Sequence, residues 1–115
     1  MAMTLRQLTE RFDCRVLCGE PGDDVVISGG YACDMLSLVV SRIQPGELWL
    51  TILNSINVVA VAALADCPCV LLTESVEMEP TVLQRAADRS VVILQTPLTT
   101  FAACAEISRL LRDAP

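Results

Sequence analysis

The sequence predicts an α/β protein, a three-layer α/β/α sandwich around a mostly parallel five-stranded sheet. Two observations carry this. Short apolar runs of strand length alternate with segments of helical period along all 115 residues, the pattern of βαβ units. Hydrophobic residues make up 53% of the chain and aromatics only 3%. The apolar content is therefore Val, Leu, Ile and Ala, the material of parallel strands buried on both faces and of the helices that cover them. A chain of this length forms one domain, residues 1–115, that buries about two thirds of its unfolded surface. No repeat, linker or low-complexity segment interrupts it.

Thr4, with Gln7 three residues on, forms a capping box for a first helix to about Phe12, whose buried stripe is Leu5, Leu8 and Phe12. Arg15 to Cys18 is a short strand ended by the loop Gly19-Glu20-Pro21-Gly22. Val25 to Ser28 is the next strand, and Gly29-Gly30-Tyr31 reads as a tight turn leading to Asp34 at the N-cap position of a helix. That helix carries Met35, Leu36, Val39, Val40 and Ile43 and stops at Pro45-Gly46. Leu48 to Leu53 is a third strand, and Asn57 is placed to cap VVAVAALAD, a helix apolar nearly all round. Such a helix implies burial against the sheet on one side and against another element or subunit on the other. Cys69 to Thr73 is a fourth strand, and Glu79-Pro80 opens a helix to about Arg89 with Pro at its first position. Val91 to Gln95 is a fifth strand, and Thr99 or Thr100 starts a last helix to about Arg112.

Composition excludes several classes of function. Net charge is −6 with no basic run, which argues against nucleic acid, whose phosphates need clustered Lys or Arg. All eight basic residues are Arg, and there is neither Lys nor His. That removes a His general base, a Schiff-base Lys and His-ligated metal. The charged N-terminal segment lacks a signal-peptide core, and the apolar run Val58 to Leu72 is broken by Asp66 and Pro68, short of a membrane span. A cytoplasmic location is expected, without membrane association. The six cysteines (14, 18, 33, 67, 69 and 104) read as reduced packing residues, since neither Cys67-Pro68-Cys69 nor the Cys14/Cys18 pair has zinc-knuckle spacing. No cofactor or metal is expected.

Candidate ligand residues gather where predicted strands end. Gly29, Gly30, Tyr31 and Asp34 form the first such turn, and Thr51, Asn54, Ser55 and Asn57 the second. Thr73 and Glu74 follow the fourth strand, and Thr96 the fifth. If the strands are parallel, these turns share the carboxyl edge of the sheet, where open α/β folds bind ligands. The glycine turn resembles a phosphate-cradling loop in outline but has the spacing of neither GxGxxG nor a P-loop. Turns need these residue types in any case, and no nucleophile has a base partner. Catalytic residues are therefore expected to be absent.

GGYACDMLS after a strand, PGELWLTI, NVVAVAALAD, VLLTE, an acidic Pro-containing helix start and VVILQTPLTTF before a closing helix occur in that order. Taken together, from Gly29 to Leu111, they resemble a DRTGG domain. The resemblance implies an α/β/α fold, dimerisation and a regulatory or scaffolding role with no activity of its own, as in the related N-terminal domain of HPr kinase/phosphorylase. It maps the family's two turns onto Gly29, Gly30, Tyr31 and Asp34 and onto Thr51 through Asn57. Many members carry a His in the second turn, where this chain has Asn54-Ser55-Ile56.

The leading expectation is thus a dimeric, non-catalytic regulatory domain that binds a small, nucleotide-like ligand or a partner enzyme. Its surplus aliphatic surface places the dimer contact on Val58, Val61, Ala62 and Leu64. Two alternatives stay open: a small nucleotide-binding module or enzyme using the strand-end residues, with Asp34 and Glu74 as acid/base groups or cation ligands, and a cysteine-based metal or redox accessory protein.

Overall fold

The computed structural model covers residues 1–115. β1 (Met3–Thr4) leads into α1 (Leu5–Arg11), which begins with the expected capping box. Gln7 N–H donates to Thr4 Oγ1 at 3.1 Å, and Thr4 N–H donates to Gln7 Oε1 at 2.9 Å. There follow β2 (Arg15–Cys18), β3 (Val26–Ile27), β4 (Gly29–Ala32), α2 (Leu36–Arg42), β5 (Glu47–Thr51) and α3 (Ile56–Leu64). β6 (Val70–Leu72), α4 (Pro80–Asp88), β7 (Ile93–Gln95) and α5 (Thr100–Asp113) complete the chain.

The main sheet has the order β2-β7-β6-β5-β4, with every pair parallel except β2 with β7. β4 to β7 are therefore neighbours in chain order, and crossovers of one hand set α2, α3 and α4 on one face. Alternation along the strands builds a core on each side. Leu48, Leu50, Leu71 and Leu94 point to one face, where Leu5, Leu8, Ile107 and Leu111 of α1 and α5 cover them. Trp49, Val70, Leu72 and Ile93 point to the other, under Val39, Val58, Val59, Ala62 and Ala86 of α2 to α4. Trp49, fully buried, also donates its indole N–H to the Cys33 carbonyl at 2.8 Å. The three-layer sandwich with a mostly parallel five-stranded sheet is the architecture expected.

Four local expectations are corrected. Gly29-Gly30-Tyr31 is the edge strand β4, not a turn; Gly30 lies opposite Leu48 and Tyr31 opposite Trp49. Neither glycine has a positive φ. Joining the ladder satisfies backbone groups that a turn would leave to water. The strand expected at Val25 to Ser28 is reduced to β3, which pairs antiparallel with β1 in a separate ribbon. Asp34 does not cap α2: the N-cap is Met35, without a side-chain hydrogen bond. The carboxylate of Asp34 is taken instead by β5, as described below. Nor does Asn57 cap α3, whose N-cap is Ser55, again without a side-chain bond.

α3 is apolar nearly all round because it is the middle helix of its layer, between α2 and α4 and above the sheet. The sheet, α2 and α4 cover most of its circumference, and Ile56, Ala60 and Leu64 stay exposed.

Replacing Leu94, fully buried between β6 and β2, by Ala is expected to cost about 2–5 kcal/mol in urea denaturation. Met35→Ser, which supplies the missing cap of α2 at an exposed position, is expected to add about 1 kcal/mol in the same assay.

Candidate functional site

The carboxyl edge of the sheet does collect polar residues singled out in the sequence, and it engages the side chains of Asp34, Thr51, Asn54, Thr73 and Thr96 in hydrogen bonds. Thr51, Thr73, Gln95 and Thr96 are the buried polar side chains of the chain, and all four lie at strand ends on this edge. Asp34 Oδ1 accepts from Thr51 Oγ1 at 2.7 Å and from Ile52 N–H at 3.1 Å. Thr51 Oγ1 in turn accepts from Leu53 N–H at 3.1 Å. Asn54 donates from Nδ2 to the Glu77 carbonyl at 2.7 Å, tying the loop after β5 to the loop after β6.

Between β6 and β7 the connections part, α4 covering one face and α5 the other. Such divergence opens a crevice in many α/β sheets. Here it is closed. Thr73 Oγ1 and Thr100 Oγ1 lie 2.6 Å apart, Glu74 N–H donates to Leu98 O at 2.8 Å, and Ser75 N–H donates to Thr96 O at 3.0 Å. Gln95 Nε2 donates to Val76 O at 2.9 Å, and Thr96 Oγ1 donates to Asp13 O at 2.7 Å. These bonds hold Glu74 and Ser75 at φ of 60° and 57°, the left-handed region that non-glycine residues avoid at roughly 1–2 kcal/mol each. No cavity opens among these residues.

The remaining sequence-derived residues fall elsewhere. Gly29 and Gly30 line the larger of two cavities, about 710 Å³, between β4 and α5. Its other walls include Leu50, Cys104, Ile107, Ser108 and Arg112, none singled out from the sequence. The one hint was the Gly-Gly pair itself, once it is placed in a strand. A second cavity, about 380 Å³, lies at the opposite edge among the loops entering β5, β6 and β7. Tyr31 is half-buried on the α2 side, and Ser55 and Asn57 are exposed at the start of α3. Of the expected contact residues, Val58 and Ala62 are buried inside the chain, Val61 is half-buried and Leu64 is exposed. Met35, Ile52 and Ile56, all exposed, surround the Asp34 bridge in sequence.

The thiols are unpaired with one another, and no three His, Cys, Asp or Glu side chains gather as a metal-binding group. Burial pushes the Cys14 and Cys67 thiols up to about 11, helped by the Asp13 and Asp66 carboxylates beside them. Burial raises Cys18, Cys69 and Cys104 as well. A raised thiol is protonated near neutral pH and is a poor nucleophile and metal ligand.

The chain matches the family model described as DRTGG domain over residues 7–110. It shares its fold with the crystal structure of the CBS and DRTGG domains of the regulatory region of Clostridium perfringens pyrophosphatase, complexed with the activator diadenosine tetraphosphate. The TM-score is 0.68 at 14% identity, over 95% of this chain and 46% of that one, so this chain spans about half its length. No curated protein matches.

The thiols give a pH dependence. An unfolded Cys ionises near 8.5, whereas the folded protein holds Cys14 and Cys67 protonated to about 11. Their contribution to stability is complete below the unfolded value and is lost as pH rises toward the folded one. The urea midpoint is expected to fall between pH 8 and pH 10.5, and to fall less in Cys69→Val, which removes the most deeply buried thiol.

Proposed function

The chain belongs to the DRTGG domain family, and from that membership we propose that it is a non-catalytic regulatory domain. In this reading it is a cytoplasmic homodimer that acts by binding a small, nucleotide-like ligand or a partner enzyme. The observation that carries the reading is the closure of the carboxyl edge. The polar groups that a catalytic site would keep free are engaged there in hydrogen bonds within the chain. Asp34 as an acid/base group has less in its favour, because one of its oxygens already accepts two hydrogen bonds. A thiol-based role has less still, since five thiols are held protonated.

The pyrophosphatase regulatory region was solved with diadenosine tetraphosphate and contains CBS domains besides the DRTGG domain. A nucleotide is accordingly the first ligand class to test on this chain. For the dimer, α3 presents an outward stripe of Ile56, Ala60 and Leu64, with Leu64 73% exposed, and Val40 is exposed on the adjacent α2. These side chains are free to meet a second copy, whereas Val58 and Ala62 already serve the core.

Native mass spectrometry at micromolar concentration, with and without diadenosine tetraphosphate, tests the reading. A species at twice the 12.4 kDa chain mass is expected, and Leu64→Asp is expected to convert it to monomer while the thermal midpoint stays unchanged. A protein monomeric at every concentration would overturn the dimer. Retention of a nucleotide would identify the ligand class; a bare dimer would place the regulatory role on a partner enzyme.

A further inference from the structure

β4 closes one edge of the sheet, and no strand pairs with its outer side, where Met1 stands among the residues lining the groove. Cys33 N–H donates to Leu50 O. Backbone groups alternate in direction along a strand, so Tyr31 and Gly29 also face β5, while Gly30 and Ala32 turn their N–H and C=O groups outward. Both residues are exposed. The other edge is defended: β2 carries Arg15, and its register with β7 shifts between Val16 and Cys18, features that discourage further strand pairing. β4, with the sequence Gly-Gly-Tyr-Ala, has no charge and no proline, and its register with β5 is regular.

The space next to this edge is roofed. α5 packs across β4 and β5. A helix about 10 Å across, lying over an edge strand, overhangs the next strand position, which is about 4.8 Å farther out. The overhanging row is Cys104, Ser108 and Arg112, spaced one helical turn apart, and these residues wall the cavity of about 710 Å³. Its inner wall is Leu50, reached past Gly30, where a Cβ would come within 3.1 Å of Leu50 Cδ1. At the far end stands Arg112, whose guanidinium makes no ion pair or hydrogen bond.

We infer that the groove between β4 and α5 is a strand-addition site for an extended segment of a partner protein carrying an aliphatic residue and an acidic residue. The added backbone pairs with Gly30 and Ala32, the aliphatic side chain enters the trough against Leu50 and Ile107, and the carboxylate meets Arg112. Backbone pairing supplies affinity and the trough supplies selectivity, as in other edge-strand recognition. An uncommitted cation at the end of an apolar trough, on a chain of net charge −6, favours an anionic group at that point. A second copy fits less well. Its own β4, Gly-Gly-Tyr-Ala, carries neither a carboxylate for Arg112 nor a large aliphatic side chain for the trough. The inference gives a chemistry to the partner in the regulatory reading and rests on it for that role. Its surface is distinct from the α3 stripe, so dimerisation and segment binding can fail separately.

The test is to pan a phage-displayed random dodecapeptide library against the full chain and titrate the selected synthetic peptides into ¹⁵N-labelled protein. Selected peptides are expected to share an aliphatic residue with a nearby Asp or Glu, and to shift the amides of Gly30, Ala32 and Ser108. Two variants follow: Ala32→Pro removes an outward N–H without touching β5, and Arg112→Glu reverses the free charge. Each is expected to weaken binding at least tenfold, with circular dichroism and native mass unchanged. The inference is overturned if no peptide is selected, or if the selected peptides bind both variants as well as the parent chain. It is also overturned if Gly30 and Ala32 amides gain exchange protection with protein concentration alone, which would give the position to a second copy. Octanoate shifting the trough residues where no peptide does would give it to a small amphiphile.

Discussion

A parallel sheet has to be covered on both faces, and most of this molecule follows from how 115 residues meet that demand. β5, β6 and β7 carry large aliphatic side chains alternately up and down, with Trp49 among them. Exposing either face would leave a hydrophobic area no small domain can tolerate. The three crossover helices follow one another on one side because the strands do so in the sheet. The other side is left to α1, α5 and the β1–β3 ribbon, whose Met3 and Ile27 join that core. Coverage is complete over the central strands and runs out at β4, where Gly30 and Ala32 need none.

The same topology shapes the carboxyl edge. α4 and α5 leave adjacent strands for opposite faces, and the gap between them must be filled by a ligand, by water or by the chain. The chain fills it, with Thr73, Thr96 and Gln95 reaching the neighbouring loops. Buried hydroxyl and amide groups without partners would each cost about 1–3 kcal/mol, and no buried side-chain polar atom lacks a partner. The left-handed backbone at Glu74 and Ser75 is tolerated because both N–H groups are held by the loop after β7. The strand ends are thereby joined to the neighbouring loops along a hydrogen-bonded seam.

In the function proposed above, recognition falls to surfaces that the core does not consume. One is the outer stripe of α3 beside α2. The other is the flank of α5 over β4, where small residues leave room and backbone groups stay unpaired. The two lie on opposite faces of the sheet, so neither surface obstructs the other.

The class, the layer count and the order of the main elements were legible in the sequence, because alternation and helical period report on burial whichever element buries them. The Thr4–Gln7 capping box, the Pro80 helix start and the Thr99 cap were legible for a similar reason: each is settled within four residues. Gly29-Gly30 was misread because a glycine pair has the same local signature in a turn as in a strand, and only the ladder offered by β5 decides between them. Asp34 was misread because its partner, Thr51, is 17 residues away. The apolar circumference of α3 signalled burial on several sides, but whether helices or a subunit supplied it depended on its central place in the layer. The polar strand ends were found from the sequence; their hydrogen-bond partners were not, because those bonds join loops brought together only by strand order. The groove beside β4 was invisible for the same reason, since Gly30 and Arg112 are 82 positions apart in the sequence and meet only where α5 folds back over the sheet edge.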